Sequence, residues 1–214
     1  MPPDRRIALI IMAKAPKPGL AKTRLIPVLG ADGAARLAKQ LFEHTIAMAN
    51  QAKGFTHYDL CVTPDVNDPV FAEYANSKVM SGHRAGFCVT DQGEGDLGMR
   101  MQRAFKRILA QVDSAIMIGT DAPSLTASHL EQAASDLKRH DAVFVPAFDG
   151  GYTLIGLNEC LPGLFEDMPW STDRLMDATR KQLKALGKTW HEHEPISDID
   201  VPADLAFLPE ALLK

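Results

Sequence analysis

An acidic residue that closes a buried strand is a natural place to look for phosphate chemistry, and Gly119-Thr120-Asp121-Ala122-Pro123 supplies one. The preceding run Ala115-Ile116-Met117-Ile118 is short and apolar, and glycine and proline bound the turn. The segment therefore reads as a strand entering a tight loop. Asp121 then lies at the carboxyl end of a strand, where open α/β sheets collect ligands, and a carboxylate there can hold a divalent cation against phosphate oxygens. The alternative is a helix cap, with Asp121 serving the helix that begins near Leu125 and Thr120 a turn residue.

Three other stretches carry chemistry of a matching kind. Lys14-Ala15-Pro16-Lys17-Pro18-Gly19-Leu20-Ala21-Lys22-Thr23-Arg24-Leu25 follows the first apolar run. Backbone amides around Gly19, with Lys22 and Arg24, could bind phosphate through charge-assisted hydrogen bonds. The loop has neither the P-loop spacing nor Gly-x-Gly-x-x-Gly, and its alternative is a solvated basic loop. In Asp149-Gly150-Gly151-Tyr152 the paired glycines allow a close backbone approach to a ligand, or make a plain hairpin turn. In Asp198-Ile199-Asp200-Val201-Pro202 the two carboxylates share one side of an extended stretch. With Asp121 they would form an oxygen-rich site suited to Mg2+ or Mn2+ rather than zinc. Asp204 reads as a first-turn acid favoured by a helix dipole. His191-Glu192-His193-Glu194 alternates as an exposed strand would, with His193 as a metal ligand or base the lesser reading. Trp170 reads as packing at a helix entry, with an acceptor-pocket wall as its alternative.

These residues need a scaffold that brings strand ends together. Ile7 to Met12 is a continuous apolar run, as expected of a strand buried on both faces. Further strands are expected over 59–63, 86–90, 115–118, 141–148 and 153–157, with an edge strand over 188–194. Helices are expected over 31–53, 70–76, 97–111, 128–139 and 172–186, with a terminal helix over 203–213. Residues 13–27 read as a long loop. Alternating strands and helices imply a mostly parallel sheet covered on both faces, in one domain spanning 1–214.

Composition narrows the classes. Of 214 residues 46% are hydrophobic and 23% charged, ordinary for a globular chain, and the net charge of -4 argues against general nucleic-acid binding. Cys61, Cys88 and Cys160 have no metal-type spacing, and Cys61 and Cys88 are expected to be buried and reduced. The first apolar run is too short to span a bilayer and is followed by lysines rather than a cleavage site. A cytoplasmic protein with no membrane partner is the expectation.

Lys14 to Leu25, Gly119 to Leu125, Asp149 to Gly156 and Asp198 to Leu205 resemble, in that order, a bacterial family of nucleotide-diphospho-sugar transferase-like proteins. Its members have the GT-A fold and are usually labelled glycosyltransferases, often of the arsenosugar-biosynthesis or radical-SAM/selenodomain-associated type. The first and last stretches also resemble phospholactate and molybdenum-cofactor guanylyltransferases. The resemblance implies a three-layer α/β/α sandwich with a mostly parallel mixed sheet, using Mg2+ or Mn2+. It implies phosphate binding by Lys14, Lys22 and Arg24, with Gly19, Gly150 and Gly151 beside the nucleotide. It also implies metal binding by Asp121 with Asp198 or Asp200. On this reading a divalent ion on Asp121 would neutralise phosphate charge on the leaving group, Lys22 and Arg24 would clamp the phosphates, and Asp149 would orient the acceptor or serve as its base. The implied reaction is glycosyl transfer from a nucleotide-sugar to a small acceptor. Nucleotidyl transfer from an NTP to a phosphorylated acceptor is the alternative, and a non-catalytic nucleotide-binding module a third reading. Met99 stands where the family often has Glu, and Val201 where Thr is common before the proline.

Overall fold

The computed structural model describes residues 5–75 and 86–212. Strand β1 (Ile7–Lys14) explains its own apolar run. Ile7, Leu9 and Ile11 face one core, which also takes Phe42, Ile46, Leu130 and Ala133. Ala8 and Ile10 face another, with Met101, Phe105, Met176 and Leu183. A strand covered on both sides cannot alternate polar and apolar residues.

After β1 come α1 (Ile26–Gln51), β2 (His57–Thr63), α2 (Pro69–Ala72), β3 (Cys88–Asp91), α3 (Leu97–Leu109) and β4 (Ser114–Ile118). Then follow α4 (Ala127–Asp136), β5 (Ala142–Pro146), β6 (Tyr152–Leu157), α5 (Leu175–Ala185) and β7 (Trp190–Glu192). Among the described residues the strands form one seven-stranded sheet in the order β3-β2-β1-β4-β6-β5-β7. All run parallel except β6, which pairs antiparallel with β4 and β5. Helices α1 and α4 cover one face, α3 and α5 the other, so the expected three-layer α/β/α sandwich with a mostly parallel mixed sheet is the observed fold.

Several expectations are corrected. The first long helix starts at Ile26 rather than residue 31, because a leading turn joins it across Gly30, whose φ of 71° breaks the helical path. The expected terminal helix over 203–213 is instead two 3-10 turns, Pro202–Phe207 and Glu210–Leu212. Pro209 between them has no N–H to donate and cannot sit inside a continuous α-helix. Cys61 is fully buried, but Cys88, on the edge strand β3, is exposed. Asn76 and Leu213, the ends of two expected helices, lie outside the described residues. No described helix is long and apolar enough to cross a membrane.

The C-terminal segment is tied back across the sheet. Ile199 is fully buried with Leu25, Ala34, Leu37 and Leu41, and Leu205 and Leu208 pack on the same cluster. This one anchor decides where the flanking carboxylates go.

Candidate active-site cleft

In an extended stretch neighbouring side chains alternate, so burying Ile199 turns Asp198 and Asp200 the other way. Both line a cleft of about 740 Å3 at the carboxyl ends of β1 and β4, together with Lys14, Lys22, Arg24, Asp121, Asp149 and Gly151. A neighbouring lobe of about 590 Å3 shares Arg24, Asp149, Ser171, Thr172, Asp198 and Asp200 and adds the exposed rings of Phe148 and Phe207. Eight of the sequence-chosen positions thus come together. Gly19 and Gly150 do not line the cleft.

The helix-cap reading of Asp121 fails, because α4 is capped elsewhere. Thr126 provides the cap, its N–H donating to His129 Nδ1 at 3.0 Å. Asp121 instead meets Lys22, whose Nζ lies 2.5 Å from Asp121 Oδ1 and donates to Ile199 O at 2.5 Å. The Ile199 N–H in turn donates to Asp121 O at 2.8 Å. One ammonium therefore stitches the β1 loop, the β4 loop and the 198–200 stretch into one wall. Its side chain is only 6% exposed, whereas that of Asp121 is 50% exposed. Arg24 pairs with Asp200, and Asp204 Oδ2 fixes the local backbone by accepting from the N–H groups of Asp200 (2.8 Å) and Val201 (2.7 Å). Asp204 is thus a turn anchor in a 3-10 segment rather than a dipole partner of an α-helix.

The β1 loop divides its cations. Lys17 turns away to the buried Asp68, a structural tie. Lys22 adopts a left-handed backbone, with φ 50° and ψ 41°. Ser171, across the cleft, is also left-handed, with φ 59°. Such backbones cost of order 1–3 kcal/mol in non-glycine residues and gather at functional sites.

Asp149-Gly150-Gly151 is the turn of the β5–β6 hairpin, closed by Gly151 N–H donating to Asp149 Oδ1 at 2.9 Å. Gly150 has φ 89°, and a Cβ there would lie 2.2 Å from Asp173 O, so its glycine serves the packing of the chain before α5. Gly151 remains on the cleft wall.

The electrostatics are unusual for an open surface. Burial, then Asp149, Asp121 and Asp200, push the Asp198 carboxyl up to about 6. Crowded carboxylates of this kind are relieved by a proton or by a bound cation. The lining also includes Arg100, which sequence reading passed over; it follows a glycine-rich turn, and its Nε donates to Gly95 O at 2.9 Å. Cationic and anionic side chains in the cleft therefore balance. The oxygen-only donor set of Asp121, Asp198 and Asp200 fits a hard divalent ion, although two of the three are engaged by Lys22 and Arg24. Trp170 both lines the cleft and packs on the α3–α5 core, closely over Gly98.

A mixed sheet with six strands one way and β6 reversed, and a charged cleft at its carboxyl edge, defines a nucleotide-diphospho-sugar transferase-like fold. The chain belongs to the DUF2064 family, described as uncharacterized protein conserved in bacteria, whose family model matches residues 28–172. It is similar to the crystal structure of a candidate nucleotide-diphospho-sugar transferase from Desulfovibrio desulfuricans G20. That match has 25% identity and a TM-score of 0.83, covering 96% of this chain and 87% of that one. The 4-diphosphocytidyl-2C-methyl-D-erythritol synthase of Anaerococcus prevotii DSM 20548 shares the fold at 12% identity and TM-score 0.65, covering 99% and 97%. A CMP:2-keto-3-deoxy-manno-octonic acid synthetase complexed with CTP shares it at 10% identity and TM-score 0.57, covering 94% and 96%. No curated protein matches the sequence.

Proposed function

We propose that the chain is a transferase, working as one domain, whose cleft binds a nucleotide-sugar together with Mg2+ or Mn2+ and passes the glycosyl group to a small acceptor. The observation that carries this reading is the exposed Asp121, held by buried Lys22 among Asp149, Asp198 and Asp200. Because cations and carboxylates already balance there, further positive charge entering with a diphosphate would favour its binding. A divalent ion bound at Asp121 with Asp198 or Asp200 would supply electrostatic stabilisation of the leaving diphosphate.

The residues divide the remaining work. Lys14 and Arg24, both exposed, are free to swing onto phosphate oxygens, with Arg24 leaving Asp200 to the ion. Lys22 is a fixed anchor that aims Asp121. The smaller lobe suits the acceptor, since it shares Asp149 and Asp198 with the main cleft and opens between Phe148 and Phe207. In the reaction the acceptor hydroxyl attacks the anomeric carbon, the bond to the diphosphate oxygen breaks, and Asp149 takes the hydroxyl proton.

Nucleotidyl transfer, with an NTP and a phosphorylated acceptor giving pyrophosphate, is the second reading. The β1 loop suits it through Lys14 and Arg24, the loop cations able to reach phosphate once Lys17 and Lys22 are held by Asp68 and Asp121. The similarity in fold to the cytidylyltransferases supports it as well. The test is incubation of the purified protein and Mg2+ with panels of nucleotide-sugars and NTPs and with phosphorylated and plain acceptors. Release of nucleoside diphosphate from a sugar donor supports glycosyl transfer. Pyrophosphate release requiring both NTP and acceptor overturns it in favour of the second reading, and tight metal-dependent binding without turnover across the panel favours a non-catalytic binding module.

A further inference from the structure

Away from the cleft, the edge strand β7 meets the C-terminal end of α4. Asp136, His191 and His193 there each present one ligand atom, all within 4.8 Å of one another. His193 Nε2 lies 3.2 Å from Asp136 Oδ2, and His191 Nε2 lies 4.0 Å from the same oxygen. None of the three lines either lobe of the cleft.

Three observations separate this cluster from an ordinary surface ion pair. His193 Nε2 is buried and makes no aligned hydrogen bond, despite its closeness to the carboxylate. Asp136 is buried, and its other oxygen, Oδ1, is taken by Arg139 at 2.6 Å, which fixes the carboxylate and leaves Oδ2 aimed at the two imidazoles. The histidines are themselves held. His193 N–H donates to Phe144 O at 2.9 Å, and the His191 ring stacks on His140 with centroids 5.6 Å apart.

We propose that Asp136, His191 and His193 form a binding site for a borderline transition-metal ion such as Zn2+, distinct from the oxygen-only cleft. Tetrahedral ligands at about 2.0–2.1 Å from zinc stand roughly 3.3 Å apart. The His193–Asp136 separation already matches that, His191 Nε2 stands 4.0 Å from the same oxygen, and with all ligand atoms within 4.8 Å of one another a side-chain adjustment closes the set on an ion. Two imidazoles and one carboxylate select Zn2+, Co2+ or Ni2+ over Mg2+. The His191 side chain is 45% exposed, so an ion could reach the cluster from solvent and carry a water as a further ligand. Bound there, it would clamp β7 to α4. Beyond β7 the chain bridges Ala147 at Ile196 and runs on to Asp198 and Asp200. The site would thus steady the wall of the cleft without touching its contents.

The test uses untagged protein stripped with a chelator and then held in excess Mg2+, so that the carboxylate cleft is saturated with a hard ion. Titration with Co2+ is expected to give one equivalent bound per chain, with the visible absorption of tetrahedral cobalt that Zn2+ then displaces. Zn2+ is also expected to raise the melting temperature. Because loss of outer-shell partners alone costs about 10–100-fold in metal affinity, His193→Gln is expected to lose more than that, and the exposed His191→Asn serves if the first variant fails to fold. Absence of Co2+ binding in the wild type, or binding and melting shifts that persist in the variants, would overturn the proposal.

Discussion

Two ion pairs in this protein are mirror images in burial. At the β2–β3 edge, Asp59 is 1% exposed and Arg107 reaches it from α3 at 2.7 Å with a side chain 30% exposed. At the cleft the burial is inverted: Lys22 is 6% exposed and Asp121 50%. Around Asp59 every donor is internal, with Thr90 Oγ1 at 2.8 Å and Arg107 closing on Thr90 and Cys61 as well. Burial raises the Asp59 carboxyl despite Arg107 and Thr90, so enclosure costs the ionised acid more than these partners return, and the pair depends on both of them staying in place. Around Asp121 the cation is sealed, the carboxylate faces a cavity, and other carboxylates stand opposite. A sealed acid with an outward cation holds strands together. A sealed cation with an outward acid presents that acid to a ligand.

The contrast can be broken from the structural side first. Asp59→Ala leaves Arg107 and Thr90 without their acceptor. Breaking a buried pair costs about 3–5 kcal/mol, and the partial exposure of Arg107 places this case near the lower end. Chemical denaturation is expected to show that loss, while the folded fraction still binds nucleotide with unchanged affinity. A matching loss of binding would mean that the edge pair serves the cleft after all.

Lys22→Met should affect both properties, since it frees Ile199 O and Asp121 together. Orphaning buried polar groups costs about 1–3 kcal/mol. The melting temperature is expected to fall, and nucleotide affinity to fall as Asp121 loses its aim. A drop in affinity with no drop in melting temperature would make Lys22 a direct phosphate ligand instead of an anchor.

Asp198→Asn gives the smallest effect, and one of opposite sign. The Asp198 carboxyl sits near 6 in the folded protein against 3.8 for the ordinary group, so the folded state binds the proton more tightly than the unfolded chain does. The ionised form therefore weakens the unliganded fold as pH rises from about 4 to 6, and the penalty is complete above that. The variant is expected to be more stable than the wild type at pH 7, by on the order of 1 kcal/mol given the open cleft. The two should coincide below pH 4. An equal difference at every pH would assign the effect to packing.

Much of the scaffold could be read from residue order. The unbroken apolar run of β1 announced a strand covered twice, and Asp-Ile-Asp announced two carboxylates on one side. The apolar period placed the start of the first long helix at residue 31, where the regular part of α1 begins after Gly30, and not the turn ahead of it. What escaped depended on partners far apart in the chain. His191-Glu192-His193-Glu194 alternates like an exposed strand, yet Glu192 pairs with Arg180 at 2.7 Å and His193 is turned onto Asp136. Nothing in the local pattern of α4 marks Asp136 as a partner, because the contact exists only once β7 docks beside β5. Gly150 is similar, since its need for glycine comes from Asp173 across the turn and cannot be seen in its own neighbours.

Whether Asp121 brings a metal ion to the nucleotide is read by calorimetric titration of wild-type and Asp121→Ala proteins with nucleoside triphosphates and nucleotide-sugars, with and without Mg2+. The wild type is expected to bind with Mg2+ and to lose that binding when Mg2+ is chelated. Asp121→Ala is expected to fold with a lowered melting temperature, because it strands the sealed Lys22 ammonium, and its folded fraction is expected to lose Mg2+-dependent binding by about 100-fold or more, equivalent to roughly 2.7 kcal/mol. Unchanged Mg2+-dependent binding in the folded variant would contradict the account and leave Asp121 as no more than the partner that keeps Lys22 in place.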